Sequence, residues 1–246
     1  MFYGLQSERE NAILNSLLGM LKVFYPRTFA SDHLITVDRC MGFIEDKDFM
    51  EAFQKAVKTD QDKSLIWRVH TLAWAADHCK HLEGDFVECG VYKGFCSFFL
   101  VNYLDFGNMD RSFYLYDTFA GIPEAYKEGS PVRDGAYSEP NLLKDATERF
   151  ASFKNVKVIE GIVPEVLEGV SPEKIAFLHL DMNSALSELG ALEVLFDRIV
   201  PGGMIVFDDY GWQSYRAQKQ AEDEFMRQRD YKIMELPTGQ GLLVKR

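Results

Sequence analysis

A chain of 246 residues with 47% hydrophobic side chains can bury one continuous core, and it does not require two full domains. A formal net charge of −11 argues against a nucleic-acid partner, because phosphate binding draws its affinity from clustered Lys and Arg. An acidic shell favours a neutral or cationic small molecule, or a metal held by carboxylates, unless the charge serves only solubility.

Residues 1–83 read as a helical extension or lid. Phe49, Phe53 and Val57 recur at four-residue spacing, and Ile66, Val69, Leu72 or Ala73, Ala76 and Cys79 trace a second apolar stripe. No strand is expected there. The polar stretch 6–11 is not a signal sequence, and no apolar run approaches the length of a bilayer span, so neither secretion nor membrane insertion is expected. Cys40, Cys79, Cys89 and Cys96 form no C-x-x-C pair and lie mostly within apolar runs. They read as buried free thiols of a cytoplasmic protein.

From Asp85 onward the texture changes to short β-branched and aromatic runs alternating with helical patterns, the signature of a parallel sheet. Strands are expected at 86–91, 112–117, 156–161, 175–181, 204–208, 231–236 and 241–245, with helices at 95–104, 142–153, 186–200 and 215–227. Pro237-Thr238-Gly239-Gln240 is too short for a helix and joins the last two strands as a hairpin. The expected fold is α/β and Rossmann-like: a seven-stranded, mostly parallel sheet over 84–246 with a C-terminal antiparallel hairpin, preceded by the helical extension. The polar segment 126–141 reads as a long loop, of the kind that covers active sites. Within it, Asp134 and Tyr137 are candidates to meet a ligand.

The first strand ends in Glu88, turns at Gly90 and Gly94, and enters a helix whose N-terminal N–H groups can receive a carboxylate. A dinucleotide site would show G-x-G-x-x-G, whereas here the pattern is E-x-G-x-x-x-G. An acidic strand end repels a pyrophosphate but accepts a hydrogen bond from the α-ammonium of a methionine moiety. Val91, Tyr92 and Ser97 belong to the same candidate donor segment. In the second strand, Asp117 can accept both ribose hydroxyls while Thr118 and Phe119 flank the adenine; the competing reading is that Asp117 caps the following turn. Gly161 and Ile162, at the end of the third strand, come next to the adenine.

Two later strands end in Asp181 and in Asp208-Asp209, and as parallel neighbours they gather three carboxylates whose repulsion demands a proton, a cation or a basic partner. A hard divalent ion such as Mg²⁺ is the simplest answer, binding a substrate hydroxyl and lowering its pKa. The alternative is that Asp208 or Asp209 caps a helix. Asp181, nearest the expected methyl path, is also a candidate general base and donor contact. His179 lies on the same strand face and reads as a satisfied core residue.

With these residues in view, the chain resembles the macrocin O-methyltransferase (TylF-like) family of class I S-adenosylmethionine-dependent methyltransferases. The matching phrases are GDFVECGVYKG at 84–94, YDTFAGIPE at 116–124, HLDMN at 179–183 and PGGMIVFDDY at 201–210, with LITVDR at 34–39 in the N-terminal region. The resemblance implies transfer of a methyl group to a hydroxyl of a small molecule, typically a sugar of a natural product, with a divalent metal on the three aspartates. It also implies a homo-oligomer. Asn183 departs from the pattern, standing where the macrolide-sugar enzymes carry a second aspartate; that difference bears on a macrolide acceptor and not on the fold. Two rivals remain: a nicotinamide-dependent oxidoreductase, motivated by the strand–Gly–helix start, and a noncatalytic interaction module on the same fold.

Overall fold

The computed structural model describes Phe2 and residues 7–246, so Gln6 of the polar stretch and most of the first six positions of the extension lie outside the described residues. Helix α1 (Glu8–Phe24) opens on a capping box: Ser7 Oγ accepts from the Glu10 N–H at 3.2 Å and the Glu10 carboxylate from the Ser7 N–H at 2.9 Å. Then the chain departs from the all-helical expectation. Strands β1 (Thr28–Ser31) and β2 (Leu34–Val37) pair antiparallel across Asp32 and His33. Both turn residues have positive φ (50° and 57°), as a two-residue hairpin turn requires. Four residues per strand are too few to display a period of two, and Asp-His lacks the glycine that marks such turns.

Three helices complete the extension: α2 (Lys47–Ala56), α3 (Asp60–Ser64) and α4 (Ile66–Cys79). Asp46 caps α2 by accepting from the N–H groups of Asp48 and Phe49. The stripes foreseen on α2 and α4 are buried, Val57 excepted, since it terminates α2 with extended backbone. These helices share a core with the rest of the chain, because α4 packs on the sheet and α2 on the helix that follows its first strand.

The remaining elements are β3 (Asp85–Cys89), α5 (Phe95–Tyr103), β4 (Phe113–Asp117), α6 (Leu142–Phe150), β5 (Val156–Glu160), α7 (Glu165–Gly169), β6 (Ile175–Leu180), α8 (Ala185–Leu195), β7 (Ile199–Phe207), α9 (Arg216–Arg227), β8 (Met234–Glu235) and β9 (Gly241–Val244). The sheet order is β5-β4-β3-β6-β7-β9-β8. The first five strands run parallel, and β9 is antiparallel to both β7 and β8, which gives the terminal hairpin. The expected strand at 204–208 begins earlier, at Ile199, because the Pro201-Gly202-Gly203 segment stays in the sheet through a register shift against β6. Strand β8 is shorter than foreseen, as suits a sheet edge.

Side chains alternate between two cores, as burial on both faces demands. In β3 and β7, Phe86, Met204 and Val206 face α4 and α5, while Val87, Cys89, Ile205 and Phe207 face α8 and α9. Successive strands run outward from β3 to β5, then the chain crosses back to β6. That reversal opens a crevice at the carboxyl ends of β3 and β6, where open α/β sheets bind ligands.

Candidate active site

Backbone hydrogen bonds lace the strand termini into one rim. Gly161 N–H donates to Asp117 O, Gly90 N–H to Tyr116 O, Asp181 N–H to Cys89 O and Asp208 N–H to Leu180 O, each at 2.9 Å. Gly90 is at φ +91°, and a Cβ there would meet the Asp181 carbonyl oxygen at 1.9 Å, so only glycine lets β3 turn this close to the end of β6. The rim borders a cavity of about 780 Å³, large among ligand clefts of roughly 300–1,000 Å³.

Of the residues foreseen, the cavity gathers Glu88, Gly90, Val91, Tyr92, Asp117, Thr118, Gly161, Ile162, Asp181, Asp208, Asp209 and Tyr137. Four stand elsewhere. Gly94, at φ +69°, faces the Phe150 ring; Ser97 is buried within α5; Phe119 is buried beside the rim and contributes its N–H to Asp117; and Asp134 is exposed and paired with Lys127 at 2.8 Å. The strand–turn–helix pattern located the segment without telling which of its residues turn inward.

Glu88, only 2% exposed, places Oε1 2.9 Å from His179 Nδ1, and its Oε2 has no hydrogen-bond partner. That orphaned acceptor on the cavity wall fits an ammonium group. Burial alone would lower the His179 pKa, but the Asp208 and Glu88 carboxylates outweigh it and hold the ring charged. Asp117 is more occupied than the ribose reading required: Oδ2 accepts from the N–H groups of Val91 and Tyr92, and Oδ1 from Phe119, all at 2.7 Å. The turn-capping alternative is therefore realised: Oδ2 is filled by two N–H groups, and only Oδ1 keeps a lone pair for a hydroxyl.

The acidic constellation holds a basic partner. Arg68 Nη1 lies 2.5 Å from Asp208 Oδ2 and 3.5 Å from Asp209 Oδ1, while Nε and Nη2 grip Asp32 at 2.7 and 3.3 Å. Gln240 Nε2 donates to the other Asp208 oxygen at 2.8 Å. Burial raises the Asp208 pKa, yet Arg68 and His179 more than offset it and keep Asp208 ionised. Asp209 is pushed up to about 7 by burial against the weaker pull of Arg68. Burial, with Asp208 and Asp209 nearby, carries Asp181 well above the usual carboxylate range. Among the described residues no group of three or more His, Cys, Asp or Glu side chains is arranged to hold a metal ion, and each Asp208 oxygen already accepts from Arg68 or Gln240. The three carboxylates line one cavity, but the cation between Asp208 and Asp209 is the Arg68 guanidinium.

The 126–141 loop lines part of the cavity, through Pro131, Arg133 and Tyr137. Ser130 Oγ donates to Asn183 O at 2.7 Å, and Glu139 accepts from Tyr92 Oη and from Lys93 Nζ, at 2.9 Å for the lysine. Tyr215 Oη donates to Asn183 Oδ1, and Asn183 Nδ2 to Asp181 Oδ1 at 3.3 Å. From the extension, His33, Lys58, Thr59, Leu65 and Arg68 complete the wall. Sequence reasoning missed Arg68, although a signal existed: it falls on the Leu72–Cys79 face of α4, a charge on a buried stripe. Asp32, Gln240 and Tyr215 sit in turns or on polar stretches and gave none.

The sheet order and the cleft at its switch point define a class I methyltransferase fold. The O-methyltransferase NovP superposes with a TM-score of 0.63 at 20% identity, covering 73% of this chain and 80% of that one. An SAH-bound methyltransferase of Podospora anserina aligns over 100% of both chains with a TM-score of 0.57 and 12% identity. The macrocin-O-methyltransferase (TylF) family profile matches residues 67–235, and the chain belongs to that family. The 8-demethyl-8-(2,3-dimethoxy-alpha-L-rhamnosyl)-tetracenomycin-C 4'-O-methyltransferase of Streptomyces olivaceus is 29% identical over 146 residues, which are 55% of this chain and 56% of that protein. The chain thus spans little more than half the length of the curated relatives it first matches.

Proposed function

We propose that this chain transfers the methyl group of S-adenosylmethionine to a hydroxyl of a small molecule, a sugar of a natural product being the acceptor class that the relatives' names support. The observation that carries this reading is the hydrogen-bonded rim, which sets Glu88, Asp117 and Asp181 around one cavity with room for a donor and an acceptor. Glu88 Oε2 receives the donor's ammonium, Asp117 Oδ1 a ribose hydroxyl, and Gly161 and Ile162 flank the adenine. The bound donor supplies an electrophilic methyl on a positive sulfur. Asp181 takes the acceptor's hydroxyl proton as the oxygen bonds to the methyl carbon and the sulfur–carbon bond breaks, the electron pair staying on sulfur. A divalent ion on Asp181, Asp208 and Asp209 does not fit these side chains as they stand, since Arg68 already bridges Asp208 and Asp209.

Residues 1–83 serve as a lid on the 84–246 domain, a role supported by the cavity-lining side chains of the extension. Self-association is supported by α1, whose Ile13, Leu17, Met20 and Phe24 form an exposed apolar stripe. No described helix is long and apolar enough to cross a membrane. The four thiols are free, which supports a reducing, cytoplasmic location, although Cys40 is exposed and Cys96 half-buried, contrary to the expectation for apolar runs. Calorimetric titration with S-adenosylhomocysteine tests the donor site: saturable binding is expected, and none at millimolar concentration would sink the reading.

A further inference from the structure

We propose that Arg68, fixed by Asp32, is the built-in cation of this site, occupying the place between Asp208 and Asp209 that a divalent ion would fill and so making the reaction metal-independent. The inference rests on the donor-cleft reading above and deepens it. Repulsion among clustered carboxylates requires a compensating charge, and guanidinium meets that need with a fixed fork of donors that remains charged in a buried site. Here the fork is divided: one edge, Nε and Nη2, is bidentate on Asp32, and the remaining Nη1 is left for Asp208 and Asp209.

Arg68 is also held on its other sides. Its guanidinium carbon lies 4.8 Å from the centroid of the Trp212 ring, and its main-chain oxygen accepts from Gln240 Nε2 at 3.4 Å. Only 8% of its surface is exposed. An incoming divalent ion would have to displace Nη1 from Asp208 and stand beside a positive charge that cannot deprotonate. Swinging the side chain aside would strand Asp32, itself buried at the turn of the β1–β2 hairpin. The extension therefore does more than cover the cleft, since it delivers the counter-charge for two strand-end aspartates. Without a Lewis acid on the acceptor oxygen, proton removal falls wholly to a protein carboxylate.

The test uses full-length protein stripped with chelator and titrated with Mn²⁺, followed by electron paramagnetic resonance and calorimetry, with S-adenosylhomocysteine titrated in parallel. The wild type is expected to bind no Mn²⁺ at millimolar concentration. Arg68→Ala, which bares Asp208 and Asp209, is expected to gain a stoichiometric Mn²⁺ site at least tenfold tighter than any wild-type binding, and Arg68→Ala/Asp209→Asn to lose it again. A stoichiometric Mn²⁺ site in the wild type, or none in a folded Arg68→Ala protein, would overturn the proposal. If Arg68→Ala does not fold, Arg68→Met replaces it and is read the same way. The parallel titration reports on the donor site alone, so failure of the donor reading shows as lost S-adenosylhomocysteine binding whatever the Mn²⁺ result.

Discussion

The two walls of the cleft are built on different logic. The wall proposed for the donor comes from β3, β4 and β5 and the turns that follow them, so its groups are fixed by neighbouring strand ends, as when Val91 and Tyr92 after β3 donate to Asp117 at the end of β4. The opposite wall depends on partners far apart in sequence: Asp32 in a hairpin turn, Arg68 on α4, Asp208 and Asp209 after β7, and Gln240 in the final hairpin. A site can thus be half local and half assembled, and the assembled half is where charge balance is decided.

Substitutions sharpen that contrast. The largest effect is expected from Arg68→Met, which leaves buried carboxylates uncompensated. A loss of about 3–5 kcal/mol in denaturant unfolding is expected, as for removal of one partner from a buried ion pair. A loss below about 1 kcal/mol would mean that the assembled wall is no more than a surface contact. On the local wall, Asp117→Ala removes an acceptor of three backbone N–H bonds and should weaken S-adenosylhomocysteine binding by roughly 100-fold, since hydrogen bonds to a charged group contribute about 1.5–3 kcal/mol each. Unchanged affinity would detach the donor from this strand end.

The same contrast explains what the sequence revealed. Strand ends are legible because a short β-branched and aromatic run stops at a polar residue, so Glu88, Asp117, Asp181 and Asp208 could be placed on one edge from the sequence alone. The sheet's terminal hairpin was equally legible from four residues that could not hold a helix. Whether a residue after the strand turns inward depends on tertiary packing, which is why the pattern alone did not show that Gly94, Ser97 and Phe119 lie outside the cavity lining. The identity of the counter-charge also escaped, because Asp32 and Arg68 meet only after the hairpin and α4 have docked on the sheet. Repulsion alone announced that a cation or a base was required without saying which.

A third test lies beneath the assembled wall. Glu188 on α8 and Glu222 on α9 are both fully buried, and burial pushes Glu222 up to about 7, against the opposing influence of Glu188 and Gln218. A carboxyl raised in the folded state favours folding while protonated. Its contribution is complete below the unfolded value near 4.5 and is lost as pH rises through about 7. Glu222→Gln should therefore match the wild type in unfolding free energy at pH 4.5 and exceed it at pH 8, by no more than about 3 kcal/mol, as read from melting curves. Parallel melting curves at both pH values would show that the pair is relieved in some other way.

The smallest effect is expected at the seam between the walls, where the 126–141 loop is latched by Glu139 to Tyr92 and Lys93. The carboxylate is half-exposed, at 50% of its side-chain surface, and exposed ion pairs contribute only about 0.2–1 kcal/mol. Glu139→Gln keeps the hydrogen bond to Tyr92 Oη and loses the negative charge that pairs with Lys93, so the folded state should be nearly unaffected. The loop also carries Tyr137, which meets the Tyr92 ring edge-on at a centroid distance of 5.1 Å and lines the cavity. Loosening the latch should raise the acceptor KM a few-fold while leaving S-adenosylhomocysteine affinity unchanged, since the Tyr92 N–H that holds Asp117 belongs to the backbone and not to the latched side chain. If donor affinity fell by the same factor as acceptor affinity, the loop would be part of the donor pocket, and the division of the cleft into a local and an assembled wall would have to be redrawn around it.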